Sequence, residues 1–261
     1  MYGLSFILGT TLAMTSAVSS TGIIIPLYVW PADDSTWSPV YNAISTHPNI
    51  QFQVIVNPDS GPGDTTYPDD NLISGVSTLN SYDNVHVIGY IATNFAEREQ
   101  AEVDSQIATY SGWSSYAAKN ISVSGIFFDE APKTNADTKI SYMQSKSATA
   151  KSSNLSTVVF NPGTTLAKES AAEYFKAADL IVEFESPYSE WKSTIPANEF
   201  SSNETYNKDA IILYSAPPTA DYKAVVQEAQ SMGLGAVYLT SSDDYMSIDT
   251  APKIAASFVD Q

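Results

Sequence analysis

Gly125-Ile-Phe-Phe-Asp-Glu130 is a short apolar run that stops on two carboxylates, and Leu180-Ile-Val-Glu-Phe-Glu185 repeats the pattern. Each reads as a buried β-strand whose last residues reach the place where a sheet opens to solvent. Working outward, similar apolar, β-branched or aromatic runs fall at 22–30, 51–57, 85–91, 123–128, 156–160, 179–185, 210–215 and 235–240. They are almost continuously apolar, as strands buried on both faces must be. Helical spacing is clearest at 100–119, 138–151, 169–177 and 221–232, with shorter stretches near 37–46, 69–81 and 250–259. Strands alternating with helices predict an α/β fold, a single (β/α)8 TIM barrel with its active site at the C-terminal ends of the strands. An open doubly wound sheet is the alternative. It would carry a glycine-rich first turn, and strand one ends instead in Tyr28-Val-Trp-Pro31.

The residues that follow each strand therefore carry the chemistry. They are Tyr28 and Trp30; Asn57 and Asp59; Tyr90; Asp129 and Glu130; Asn161; Glu183 and Glu185, followed by Tyr188; Tyr214; and Thr240 with Asp243. This is a ring of aromatics, amides and carboxylates almost free of positive charge, which suits a sugar better than a phosphate. Asp129, Glu130 and Glu185 are the candidate catalytic residues. Tyr28, Asn57, Asp59, Tyr90, Asn161, Tyr188 and Tyr214 are the candidate substrate-binding ones. Alternation along a strand lets at most one of Asp129 and Glu130 point into the barrel, and it gives Glu183 and Glu185 a common direction. Strands four and six are separated by one strand, so inward carboxylates could approach to roughly 5 to 7 Å. That range spans the retaining and inverting geometries of glycosidases. Close carboxylates also split in pKa, which supplies an acid and an anion.

Composition narrows the field. The 261 residues include 12 Lys and Arg against 29 Asp and Glu, a net charge of −17, and Arg98 is the only arginine. That excludes nucleic acid and phosphate-rich ligands and disfavours anionic membranes. With no cysteine, disulfides, thiolate metal sites and thiol catalysis are excluded. His47 and His86 lack partners at ligand spacing, so no metal and no cofactor are expected. Residues 1–19 read as a signal peptide, with Leu4 to Met14 as its apolar core. Residues 20–261 then form the barrel domain, secreted or wall-associated, free of membrane after cleavage and monomeric. Sequons at Asn120, Asn154 and Asn203 agree with that route.

At these positions the chain resembles the spherulin-4 (spherulation-specific family 4) proteins of fungi and slime moulds. The resemblance is carried by Pro26-Leu-Tyr-Val-Trp-Pro31, Val56-Asn-Pro-Asp-Ser-Gly-Pro-Gly63, Gly89-Tyr-Ile-Ala-Thr93, Gly125-Ile-Phe-Phe-Asp-Glu-Ala-Pro132, Val159-Phe-Asn-Pro-Gly163 and Phe184-Glu185. It implies a barrel glycoside hydrolase, an endo-acting enzyme on α-1,4-linked N-acetylgalactosamine in galactosaminogalactan. The adjacent Asp and Glu of the family match Asp129 and Glu130, and its later Glu matches Glu185. Glu183 has no counterpart. The alternative function is a non-catalytic sugar-binding wall or spore-coat protein, for which an acid pair would be unnecessary. A polysaccharide deacetylase is disfavoured by the placement of the two histidines.

Overall fold

The computed structural model describes residues 20–191, 200–202 and 204–258. The expected signal peptide and the Asn203 sequon lie outside them, while Asn120 and Asn154 are both exposed. Eight parallel strands close into a barrel in chain order. They are β1 (Gly22–Leu27), β2 (Phe52–Val56), β3 (Val85–Ala92), β4 (Gly125–Asp129), β5 (Thr157–Asn161), β6 (Leu180–Pro187), β7 (Asp209–Tyr214) and β8 (Ala236–Leu239). The helices are α1 (Ser38–Thr46), α2 (Asp70–Leu79), α3 (Gln100–Gly112), α4 (Asp137–Ser152), α5 (Ala171–Ala177), α6 (Tyr222–Met232) and α7 (Ala251–Ala255). Between β6 and β7 the described residues hold two 3-10 turns, Tyr188–Glu190 and Tyr206–Lys208, and no α-helix. Strand one stops at Leu27, short of the expected Trp30: the chain bends at Val29 and Trp30 is exposed.

The strand runs become strands because both of their faces are covered. Phe128 and Phe160 on neighbouring strands meet edge to face at 6.0 Å, and Phe160 meets Tyr174 of α5 at 6.5 Å. Both phenylalanines are fully buried, each contributing about 2–3 kcal/mol by area. Gly125 opens β4 because a Cβ there would lie 1.9 Å from the Thr157 carbonyl oxygen. Its absence lets β4 and β5 approach, and their register pairs Asp129 with Asn161. On the helical side Asp69 caps α2, accepting from Asn71 N at 2.9 Å and Leu72 N at 3.1 Å. Buried Lys146 ties α4 to α3 through Asp104 at 2.6 Å.

One strand departs from simple alternation. In β6 the register against β7 shifts between Val182 and Phe184, so Glu183 is the extra residue of a β-bulge. Alternation does not carry across a bulge, and the common direction expected for Glu183 and Glu185 is lost. Glu183 is fully buried and accepts from Leu166 N at 2.9 Å and Ser201 N at 2.8 Å. It is a structural acid, holding the segments after β5 and β6 to the barrel. Glu185 is left free for other partners.

Candidate active site

The last residue of β4 begins the site. Asp129 is half-buried, and its Oδ2 accepts from the Tyr90 hydroxyl at 2.6 Å while Oδ1 accepts from Asn161 Nδ2 at 2.8 Å. The same nitrogen donates to Glu185 Oε2 at 2.8 Å. Two legs of 2.8 Å from one nitrogen bring an oxygen of each carboxylate to the same amide, so the two acids face each other across it. The amide cannot turn over, because Asn161 Oδ1 accepts from Gly163 N at 2.9 Å in the Asn-Pro-Gly turn. Gly163 has φ +66°, and a Cβ there would stand 3.5 Å from Glu185 Oε2. The turn therefore needs glycine for its backbone, and a Cβ would make only ordinary contact with the acid. The opposite oxygen of Glu185, Oε1, accepts from the Tyr245 hydroxyl.

These donors, one amide and two phenols, are all neutral. Burial raises the Glu185 pKa above the usual carboxylate range, the bonds from Tyr245 and Asn161 oppose that rise, and the charge of Asp129 adds to it. Burial is also the first cause holding the Tyr90 and Tyr245 phenols well above their ordinary value. The charges of Asp129 and Glu185 respectively come next. Both phenols therefore keep their protons and donate. Tyr28 lies edge-on to Tyr90 at 5.6 Å and to Tyr245 at 5.9 Å, so three tyrosine rings line one side of the acids.

Glu130 is exposed, with φ +51°, a left-handed conformation that is costly for a residue with a side chain. Its carbonyl is held by Phe95 N at 2.7 Å and Thr93 Oγ1 at 2.8 Å. That reversal of the backbone separates the adjacent acids, with Asp129 turned toward Tyr90 and Asn161 and Glu130 at the rim. Tyr214 is half-buried as the last residue of β7. The other three expected binders follow β2 and β6 on the same rim, and two of them have bonds of their own. Asn57 closes its own turn, accepting from Gly61 N at 3.0 Å, and Asp59 is exposed in that turn. The Tyr188 hydroxyl accepts from Asp221 N at 2.9 Å and pins a 3-10 turn to the start of α6. The sequence reading missed Tyr245. Its only sign is a lone aromatic in the polar stretch Ser241-Ser-Asp-Asp-Tyr245 after β8.

The closed eight-stranded parallel barrel, with acids at the C-terminal ends of its strands, is a glycosidase-like fold. The chain is 28% identical to Aspergillus clavatus Sph3, whose crystal structure is in complex with GalNAc. The two superpose with a TM-score of 0.78 over 92% of this chain and 97% of that one. An endo-beta-N-acetylglucosaminidase from Cordyceps militaris shares the fold at 9% identity and a TM-score of 0.55, covering 95% of this chain and 97% of that one. Spherulin-4 of Physarum polycephalum is 28% identical over 226 residues, which are 84% of this chain and 62% of that relative. The chain belongs to spherulation-specific family 4, whose family model matches residues 22–260. Among the described residues no helix is long and apolar enough to cross a membrane.

Proposed function

We propose that this protein is a secreted, endo-acting glycoside hydrolase for α-1,4-linked N-acetylgalactosamine in a galactosaminogalactan-type polysaccharide. One observation carries the reading. The Asn161 amide donates at 2.8 Å to a β4 carboxylate and at 2.8 Å to a β6 carboxylate, so the two acids face each other at close range, as the roughly 5–5.5 Å separation of retaining glycosidases requires. A structural acid pair would share a proton or a cation, whereas these two share a neutral amide donor and each accepts from a phenol of its own. The GalNAc bound by Sph3 supports an amino sugar as the ligand.

Glu185, the acid whose pKa burial raises, is the general acid, and Asp129 is the nucleophile. In an α-linked N-acetylgalactosamine the acetamido group is cis to the leaving oxygen, so it cannot attack from the back face. The Asp129 carboxylate forms the bond to the anomeric carbon as the C–O bond breaks, and Glu185 gives its proton to the departing oxygen. Water then attacks the glycosyl-aspartate, losing a proton to Glu185, and the product keeps its α-configuration. Glu130 at the rim binds or orients the sugar.

Product analysis by anomeric NMR on defined oligosaccharides tests this, with the α-anomer expected first. Asp129→Asn and Glu185→Gln should each lower kcat by about 10³-fold or more with the fold intact. Azide should rescue Asp129→Gly and give a β-glycosyl azide. Full activity in Glu185→Gln would end the assignment. Polymer binding without release of oligosaccharides by the parent chain would favour the wall-protein reading.

A further inference from the structure

Among the described residues three large hydrophobic side chains are exposed: Trp30 at 49%, Phe95 at 51% and Met246 at 54%. Single exposed hydrophobics are ordinary on any surface. These three are not scattered, because they follow β1, β3 and β8, all on the rim that carries the acids.

Two of them are also held in place. The Trp30 indole donates from Nε1 to Asp69 Oδ2 at 3.1 Å, and Asp69 is fixed in turn as the cap of α2. Phe95 sits in a run of three left-handed residues, Asn94, Phe95 and Ala96, with φ of 47°, 54° and 59°. Such backbone costs on the order of 1–3 kcal/mol per residue and persists only where its surroundings enforce it. Here they do. Phe95 N donates to the carbonyl of Glu130 at 2.7 Å, and the Phe95 carbonyl accepts from Lys139 Nζ at 2.8 Å. Lys139 is itself paired with Glu97 at 2.6 Å. A strained loop, locked from both sides and tied to an acid of the site, keeps a phenyl ring in water. Folding gains nothing from that arrangement, whereas a ligand that stacks on the ring would.

We infer that Trp30 and Phe95 are stacking platforms for the sugar rings that flank the one being cleaved, so that the rim over β1 and β3 is a track for a polymer. A pyranose ring is the occupant because its C–H face matches a flat aromatic ring, and its hydroxyls match the acids and amides beside it. The platforms are pre-organised, which lowers the ordering cost of binding. The inference rests on the hydrolase reading for the identity of the sugar.

The test is binding of α-1,4-linked N-acetylgalactosamine oligosaccharides, from dimer to octamer, by the Glu185→Gln chain, with and without Trp30→Ala or Phe95→Ala. Each platform variant should bind the octamer about tenfold more weakly, equivalent to about 1.4 kcal/mol, and bind the dimer within about twofold of the parent. Phe95→Tyr should restore octamer affinity. Trp37 and Trp113 are fully buried. Trp191, the fourth tryptophan, is half-buried after β6, so in a Trp191→Phe background the octamer should shift the fluorescence when Trp30 is present and leave it nearly unmoved in the Trp30→Phe double variant. Parent-like octamer affinity in both alanine variants would overturn the track alone. Failure of the parent to bind any oligosaccharide would overturn the sugar reading and the track with it.

Discussion

Two asparagines at opposite ends of the barrel do different work with the same amide. Asn84, buried at the N-terminal rim, donates from Nδ2 to the carbonyls of Ile44, His47 and Ile50 at 3.3, 3.2 and 3.0 Å. Asn161, buried at the C-terminal rim, donates to two carboxylates. At the closed end the amide satisfies backbone that folding leaves without partners. At the open end it holds together two groups that would otherwise repel. Backbone strain divides the same way. Among the described non-glycine residues Ser60, Asn94, Phe95, Ala96, Glu130, Ser215 and Tyr245 have positive φ after strands, and Asn154 alone has it after a helix. Unfavourable conformations and unfavourable charge contacts gather where a ligand would make use of them.

The contrast predicts opposite phenotypes. Asn161→Ala removes the donor shared by Asp129 and Glu185 and should lower kcat by about 10²–10³-fold, the usual loss for one pre-organised donor. Its melting temperature should stay within a few degrees of the parent. Asn84→Ala leaves buried carbonyls without a donor and should cost about 2–3 kcal/mol of stability. Its kcat, measured well below its melting temperature, should match the parent. Steady-state kinetics beside thermal denaturation separates the two, and a stability loss in Asn161→Ala as large as that in Asn84→Ala would erase the division.

Tyr245→Phe asks a finer question of the open rim. The phenol's bond favours the ionised form of Glu185, so its loss lets burial raise the Glu185 pKa further. An acid with a higher pKa keeps its proton to higher pH. The alkaline limb of the kcat profile should therefore move upward while kcat falls by roughly tenfold, near the loss expected for one hydrogen bond to a charged group. A profile that moves downward would assign Glu185 the opposite role.

Much of this organisation could be read from the chain, for a physical reason. Near-continuous apolar runs are unambiguous when both faces of a strand are buried, so β2 to β5 fall within two residues of their expected bounds. The Asp129-Glu130 pair was legible because a strand end and a turn leave adjacent residues only two destinations. The direction of Glu183 was not, because a bulge changes which residue faces which way without leaving a mark in an apolar-acidic run. Tyr245 reaches Glu185 from a loop with no periodicity, placed there by a left-handed residue that sequence does not announce. Asn57 and Asn161 look alike, each before proline. Only the register of β5 against β4 sets Asn161 beside an acid, while Asn57 bonds within its own turn.

The smallest expected effect at neutral pH concerns the acid pair that lies outside the catalytic constellation. Asp209 at the start of β7 is fully buried, and its Oδ1 has no partner among the described residues. Burial first, and then the charge of Glu183, push its pKa up to about 9. A proton on Asp209, donated toward Glu183, removes both difficulties. In the unfolded chain the same carboxyl ionises near 3.8. Between those values the native state binds the extra proton, so stability falls as pH rises from about 4 to about 9. Asp209→Asn imitates the protonated acid with a donor that never titrates. It should be within about 1 kcal/mol of the parent near pH 6. Its advantage should grow with pH, as the parent loses on the order of a few kcal/mol across the window. Denaturant unfolding at pH 5, 7 and 9 measures this directly. Parallel pH profiles for the two proteins would mean that the proton is not there, and that Glu183 is held by the Leu166 and Ser201 amides alone.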